Sequence, residues 1–320
     1  MTTRDRYEAA IAQAGDLLRW RSPLRAELWA SRFVAEFDED GVDEEAFGGL
    51  LEEDSGQEAA LVAAALSAVG TPVRAGGSGP EWLARMGEVT CESAWYGKAD
   101  RYGEQALAAL TFRYRNGKEP HTVVVGIDQV HGGIAVDAAV EEPKFLDDLG
   151  LDPADPALVA ERVLAAFSLL DILLGAPVAD TLPPPRAFTL TRARSIPTHA
   201  QAAHGPQAPD LSEFPELADV PGAAEAYRVL MEFVGDRGVW WSPTRVSAFL
   251  TVWLPREAVL SGEGIDAMPE VVRAWTRRIA DDPAIHDQID TDAPGLPARM
   301  ADESLAGLRK KLTQQQHPNP

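Results

Sequence analysis

Between residues 89 and 141 the chain alternates with the period of a β-strand, and this run sets the fold class. VTCESAWYG, EQALAALTFRYR, HTVVVGID and GIAVDAAVEE read as four strands. Leu110, Phe112 and Tyr114 alternate with Thr111, Arg113 and Arg115, as in a half-buried strand. Asn116-Gly117 closes a hairpin, and Gly132-Gly133 supplies the next turn, where a positive φ costs glycine least. The simplest arrangement is a small antiparallel meander over about 89–141. Helical periodicity lies on both sides of it, so the fold class is α+β.

Upstream, residues 3–20 carry Tyr7, Ala10, Ile11, Ala14, Leu17 and Leu18 on one helical face. Ser22-Pro23 caps a second helix bearing Leu24, Leu28, Trp29, Phe33 and Val34. The alanine-rich 56–69 segment is also helical. Downstream, Asp155-Pro156 opens a long apolar helix to about Leu174, stopped by Gly175 and Pro177. Residues 176–220 are rich in proline, including a triple proline at 183–185, and read as a linker with one short strand at Phe188–Thr191. Helices follow at Gly222–Val234, from Ser242-Pro243 to Pro255, from Pro269 onward, and at Asp302–Leu312. The expected organisation is an α+β domain over 1–175, the linker 176–220, a helical region over 221–313 and a disordered tail at 314–320.

Charge and cysteine content limit the function. A formal net charge of −21 over 320 residues repels phosphate backbones and anionic lipid, so neither nucleic acid nor membrane is an expected partner. Between Arg32 and Arg74 there are eleven Asp or Glu and no Lys or Arg. The 36–58 part of this run reads as the solvated faces of two short helices or as a docking face for a basic protein. One cysteine, Cys91, excludes an intramolecular disulfide and a thiolate zinc site, and its apolar context suits a buried structural thiol. The apolar run ALVAERVLAAFSLLDILLG is interrupted by Glu161, Arg162 and Asp171, which fits a buried helix better than a membrane span. The N-terminus lacks the apolar core of a signal peptide, so a cytoplasmic location is expected.

Three places carry candidate chemistry. Asp128, His131 and Asp137 surround the Gly132-Gly133 turn. If the turn folds back, two carboxylates and an imidazole can do acid/base work or share a metal. The structural alternative is that the aspartates cap turns. His121 and Asp128 are seven residues apart in one strand, too far to share an ion. The glycine-rich 76–79 loop lacks the Gly-Lys-Ser/Thr ending of a phosphate loop and reads as a linker. Arg273, Arg277 and Arg278 are expected to pair with the acidic surface, and His199 and His204 are ordinary surface histidines. Trp240 and Trp241, with Trp253 in the helix after them, form either an exposed recognition patch or a staple that docks that helix.

Two of these segments resemble a family of uncharacterised actinobacterial proteins. HTVVVGIDQVHGGIAVDAAV is similar to a strand–loop–strand of that group, and WWSPTRVSAFLTVWLPREAV with MPEVVRAWTRR is similar to its C-terminal helical segment. In that group a histidine usually follows the aspartate matching Asp128, whereas here Gln129 stands there. The resemblance covers 121–142 and 239–278. It implies the architecture and no reaction.

The sequence therefore favours a non-catalytic protein-interaction or regulatory factor with a protein partner and no cofactor. The alternatives are a metal-dependent or acid/base hydrolase centred on Asp128, His131 and Asp137, and an acidic mimic of nucleic acid that sequesters a basic partner. The sequence leaves the oligomeric state open.

Overall fold

The computed structural model describes residues 2–40, 43–197, 211–235 and 237–316. The chain divides into two compact units. The first comprises residues 1–99 and 106–200, and the second comprises 100–105 and 201–320.

The first unit is the α+β part. Helices α1 (Thr3–Trp20), α2 (Pro23–Asp40), α3 (Glu44–Glu53) and α4 (Gln57–Ala68) precede strands β1 (Val89–Lys98), β2 (Gln105–Tyr114), β3 (His121–Asp128) and β4 (Ile134–Glu141). A two-residue β5 (Asp152–Pro153) then leads to α5 (Pro156–Ile172) and α6 (Pro183–Arg194). The sheet is antiparallel, in the order β4-β3-β2-β1-β5. The glycine turns form as expected, with Gly117, Gly132 and Gly133 all at positive φ. Helix α5 packs on β1 and β4, and α6 packs on α2 and α5. Ser22 caps α2 by accepting the Arg25 N–H at 3.1 Å.

Two expectations about the 176–220 segment fail. Phe188–Thr191 is helical rather than a strand, and the prolines at 183–185 open α6 rather than extend a linker. Proline in the first helical turn gives up an N–H that has no partner there anyway, and its fixed φ suits the helix. Phe188, Thr189, Arg192 and Ala193 then form a buried face. The Ser31 hydroxyl of α2 enters this first turn, donating to the Pro184 carbonyl at 2.6 Å and accepting the Phe188 N–H at 3.0 Å.

The centre of the first unit holds a buried ionic network. Glu27 of α2 and Arg192 of α6 form an ion pair with both side chains out of solvent. The other Glu27 oxygen accepts the Tyr114 hydroxyl at 2.8 Å and the Gly87 N–H at 2.9 Å. Arg192 donates through Nε to His121 Nε2 at 3.1 Å and through Nη2 to the Tyr114 hydroxyl oxygen.

The second unit is helical. It contains α7 (Ala223–Val234), α8 (Pro243–Ala248), α9 (Leu254–Glu257), α10 (Gly262–Ile279), α11 (Pro283–Asp292), α12 (Leu296–Ala301) and α13 (Leu308–Gln316), with a π-helical turn over Phe249–Trp253 joining α8 to α9. Pro255 does not end the helix begun at Pro243, because the wider turn before it breaks the ladder where the proline N–H is missing. Nor does Pro269 open a helix. Ser261 caps α10 eight residues earlier, and Pro269 lies inside it. Gly264 permits a close approach there, since a Cβ would stand 2.5 Å from Glu225 Oε2. Helix α13 begins later than expected and runs through Gln316, into the stretch read as a tail; residues 317–320 lie outside the described residues, as do His199 and His204.

The loop 100–105 is held by one carboxylate. Asp100 accepts the N–H groups of Tyr102 at 2.7 Å, Gly103 at 2.8 Å, Glu104 at 3.2 Å and also Gln105. Gly103 sits at φ 74°, and a Cβ on it would lie 2.0 Å from the Val239 carbonyl oxygen. Among the described residues no helix is long and apolar enough to cross a membrane.

Two stability predictions follow from these contacts. Arg192→Met leaves the Glu27 carboxylate buried without its counterion and should lower unfolding free energy by about 3–5 kcal/mol in denaturant titration; adding Glu27→Met should recover part of the loss. Gly103→Ala should cost well above the ~1 kcal/mol expected of Gly117→Ala, which also has a positive φ but nothing within 4 Å of the added Cβ.

Candidate functional site

The β3–β4 hairpin brings two of the three candidate groups together. Asp128, at the end of β3, accepts the Val130 N–H at 2.8 Å and the His131 N–H at 3.2 Å through Oδ1. Its Oδ2 pairs with His131 Nδ1 at 2.8 Å. This is the aspartate turn that a strand end favours, closed by an imidazole from the same turn. Partial burial pushes the Asp128 carboxyl up, but the bonds from His131 and the Val130 N–H outweigh it and hold the group below the usual range. The His131 side chain is half exposed.

Asp137 does not join them. It pairs with Gly126, and a bulge separates that position from the Ile127–Ala135 pair nearer the turn. Its carboxylate accepts the Thr181 hydroxyl at 2.5 Å. It lines a groove of about 460 Å³ with Leu28, Arg32, Asp180, Thr181 and Pro184, to which neither Asp128 nor His131 contributes. Among the described residues no three His, Cys, Asp or Glu side chains are grouped to hold a metal ion. Asp128 and His131 are thus held together in the turn, while Asp137 is engaged elsewhere.

Gln129 is buried, and its Nε2 donates to the Tyr96 hydroxyl at 3.2 Å. It ties the hairpin end to β1. Cys91 is only partly buried, and its thiol is pushed up to about 11, mainly by desolvation. At neutral pH such a group is a thiol rather than a thiolate nucleophile.

The tryptophans staple the helical unit rather than form an open patch. Trp241 is wholly buried and donates through Nε1 to Thr276 Oγ1 at 2.9 Å, which removes it as an exposed contact residue. Trp240 lies under the Arg245 guanidinium, 4.5 Å from its ring centre, with Phe233 at 4.9 Å from the same guanidinium. Arg245 donates to the carbonyls of Phe233, Val234 and Arg237, capping the negative end of α7. Trp253 packs half-buried against Phe233 and Phe249. Arg273, Arg277 and Arg278 pair with carboxylates, as expected.

Sequence reasoning missed the Glu27–Tyr114–His121–Arg192 network. His121 is fully buried, with Nδ1 against the Glu119 carbonyl oxygen at 2.8 Å and Phe112, Tyr114 and Phe188 around its ring. Burial, and then the Arg192 charge, lower its pKa to about 4, so the ring is neutral at physiological pH. Tyr114 is pushed up, first by desolvation and then by Glu27. Its charges are matched internally, Glu27 against Arg192 with Tyr114 and His121 as hydrogen-bond partners, and the network ties the elements of the fold together.

The missed surface feature is apolar. The end of α5 exposes Leu169, Ile172, Leu173 and Leu174, with Ile172 at 76% and Leu174 at 96% exposure. Beside them, Val34, Leu170, Leu173, Val178, Leu182 and Leu190 line a groove of about 550 Å³. No family model, curated protein or solved structure matches this chain.

The buried imidazole gives a signed pH dependence. The unfolded chain protonates His121 near pH 6.5 and the folded chain only near 4. Above 6.5 the group contributes nothing. As pH falls from 6.5 to 4 the fold should lose up to about 1.4 kcal/mol per pH unit from this residue. His121→Gln keeps an acceptor for Arg192 and should flatten that slope in denaturant titrations across the window; an unchanged slope contradicts the assignment.

Proposed function

We propose that this chain is a non-catalytic protein-interaction or regulatory factor. One observation carries the reading: the exposed aliphatic end of α5, from Leu169 to Leu174 with Val178, beside the groove between α2, α5 and α6. Aliphatic side chains exposed to this degree and grouped on one surface mark a contact site more often than a solvated helix end. The groups named for catalysis support the hydrolase alternative less well. Asp128 and His131 are used in closing their turn, and Asp137 is engaged by Thr181 in another groove. The nucleic-acid mimic reading needs a continuous acidic face. The 36–58 run supports that only in part, because Glu36 pairs with Arg6 and Asp54 accepts from Tyr7 and the Gly56 N–H.

Two variants separate the readings. Ile172→Asp combined with Leu174→Asp should abolish protein association by the purified chain, whereas Asp128→Asn combined with Asp137→Asn should leave it intact. Turnover of model ester or phosphoester substrates that disappears in Asp128→Asn would overturn this reading in favour of the hydrolase.

A further inference from the structure

Helix α5 presents more than an apolar end. Its buried face is made of Ala157, Val159, Ala160, Val163, Ala166 and Phe167. On the opposite side Leu158, Ala165, Leu169 and Ile172 are all exposed. Leu158, Ala165 and Ile172 are seven residues apart, two helical turns each, so they form one stripe along the outside of the helix. A helix on a sheet needs one apolar face, and this one has two.

The stripe is symmetric along its own length. Ala165 stands midway, with Leu158 seven residues before it and Ile172 seven after. Laid antiparallel on a copy of itself about an axis through Ala165, the helix sets Leu158 against the other copy's Ile172, at both ends. Leu169 then faces Glu161, and Ser168 faces Arg162. The small Ala165 at the crossing lets the two backbones approach closely on the two-fold axis.

Charge selects the same occupant. From Pro156 to Val178 the chain carries Glu161, Arg162 and Asp171, and Asp171 is paired with Arg186. This surface is close to neutral on a chain of net charge −21. A basic partner would be drawn to the acidic 36–58 run instead, whereas two copies of an acidic chain can meet only where neither brings excess charge. Leu158, Leu169 and Ile172, the exposed aliphatic residues of the stripe, offer on the order of 300 Å² of apolar surface per copy. Two copies bring roughly 600 Å² of apolar surface, to which Glu161, Arg162, Ala165 and Ser168 around the stripe add, so the contact belongs to the small, concentration-dependent end of specific interfaces.

From this we infer that the outer face of α5 is the contact surface of a homodimer, two copies meeting antiparallel across Ala165. This rests on the interaction reading above and names its partner as a second copy of the chain.

The test uses the full chain. Sedimentation equilibrium should show self-association towards twice the monomer mass, and Leu158→Asp or Ile172→Asp, both at exposed positions, should return it to a monomer with unchanged circular dichroism and a melting temperature that no longer depends on protein concentration. Ala165→Cys in a Cys91→Ser background should form an intermolecular disulfide under mild oxidation, while Ser55→Cys in the same background should not. A monomer at all concentrations overturns the inference, as does a dimer that survives Ile172→Asp or fails to cross-link through residue 165. If the monomeric chain still binds another protein through Ile172 and Leu174, the interaction reading stands and only the homodimer fails. A monomer that binds nothing there ends both.

Discussion

The Glu27–Arg192 pair is the interaction on which the first unit is organised. Two charges buried together gain little or nothing over an apolar pair unless hydrogen bonds absorb their remaining donors and acceptors. Here Glu27 also receives the Tyr114 hydroxyl and the Gly87 N–H, and Arg192 also reaches His121 and Tyr114. One carboxylate and one guanidinium thereby tie α2 to α6, to β2 and β3, and to the turn that precedes the sheet. An apolar contact of the same size is non-directional. This network fixes one arrangement of the five elements.

That arrangement places the surface features. With Arg192 and Glu27 joined, α6 lies along α2, and Ser31 bridges the first turn of α6 at its other end. The groove lined by Val34, Leu170, Leu182 and Leu190 is the space left where α5 diverges from this pair. Helix α5 covers the sheet with one face and leaves Leu158, Ala165, Leu169 and Ile172 outside. The buried network holds the fold, and the apolar exterior serves the proposed interaction; the His131–Asp128 turn lies at the hairpin end of the sheet.

Much of this was legible in the sequence, for reasons that can be traced to particular residues. The meander announced itself through Asn116-Gly117 and Gly132-Gly133, because local backbone chemistry fixes such turns. Ser22-Pro23, Asp155-Pro156 and Ser242-Pro243 marked three helix starts by the same kind of local rule. The prolines at 183–185 misled because proline means a break in most contexts and a start in the first helical turn; only the buried spacing of Phe188, Thr189, Arg192 and Ala193 distinguishes the two. Pro255 and Pro269 misled likewise, since the π turn and the cap at Ser261 that accommodate them leave no strong local signature. The candidate site was legible only as a turn: Asp128 and His131 meet because they are three residues apart, whereas Asp137 goes to Thr181, a partner 44 residues away. The network was hidden for the same reason, its members lying on four separate elements. Its trace was Glu27 three residues after Leu24, a lone charge within the apolar spacing of α2.

The central claim is that a neutral imidazole completes the buried network, and the tautomer of His121 tests it most directly. The Glu119 carbonyl can only accept, so Nδ1 must carry the proton, and Arg192 Nε–H can only donate, so Nε2 must be bare. Nitrogen chemical shifts of a histidine-labelled sample should therefore show one ring with Nδ1 protonated and Nε2 unprotonated, unchanged from neutral pH to about pH 5. An Nε2-protonated ring at this position, or an imidazolium already formed at pH 6, would mean that Arg192 is not held as described and that the account of the fold is wrong.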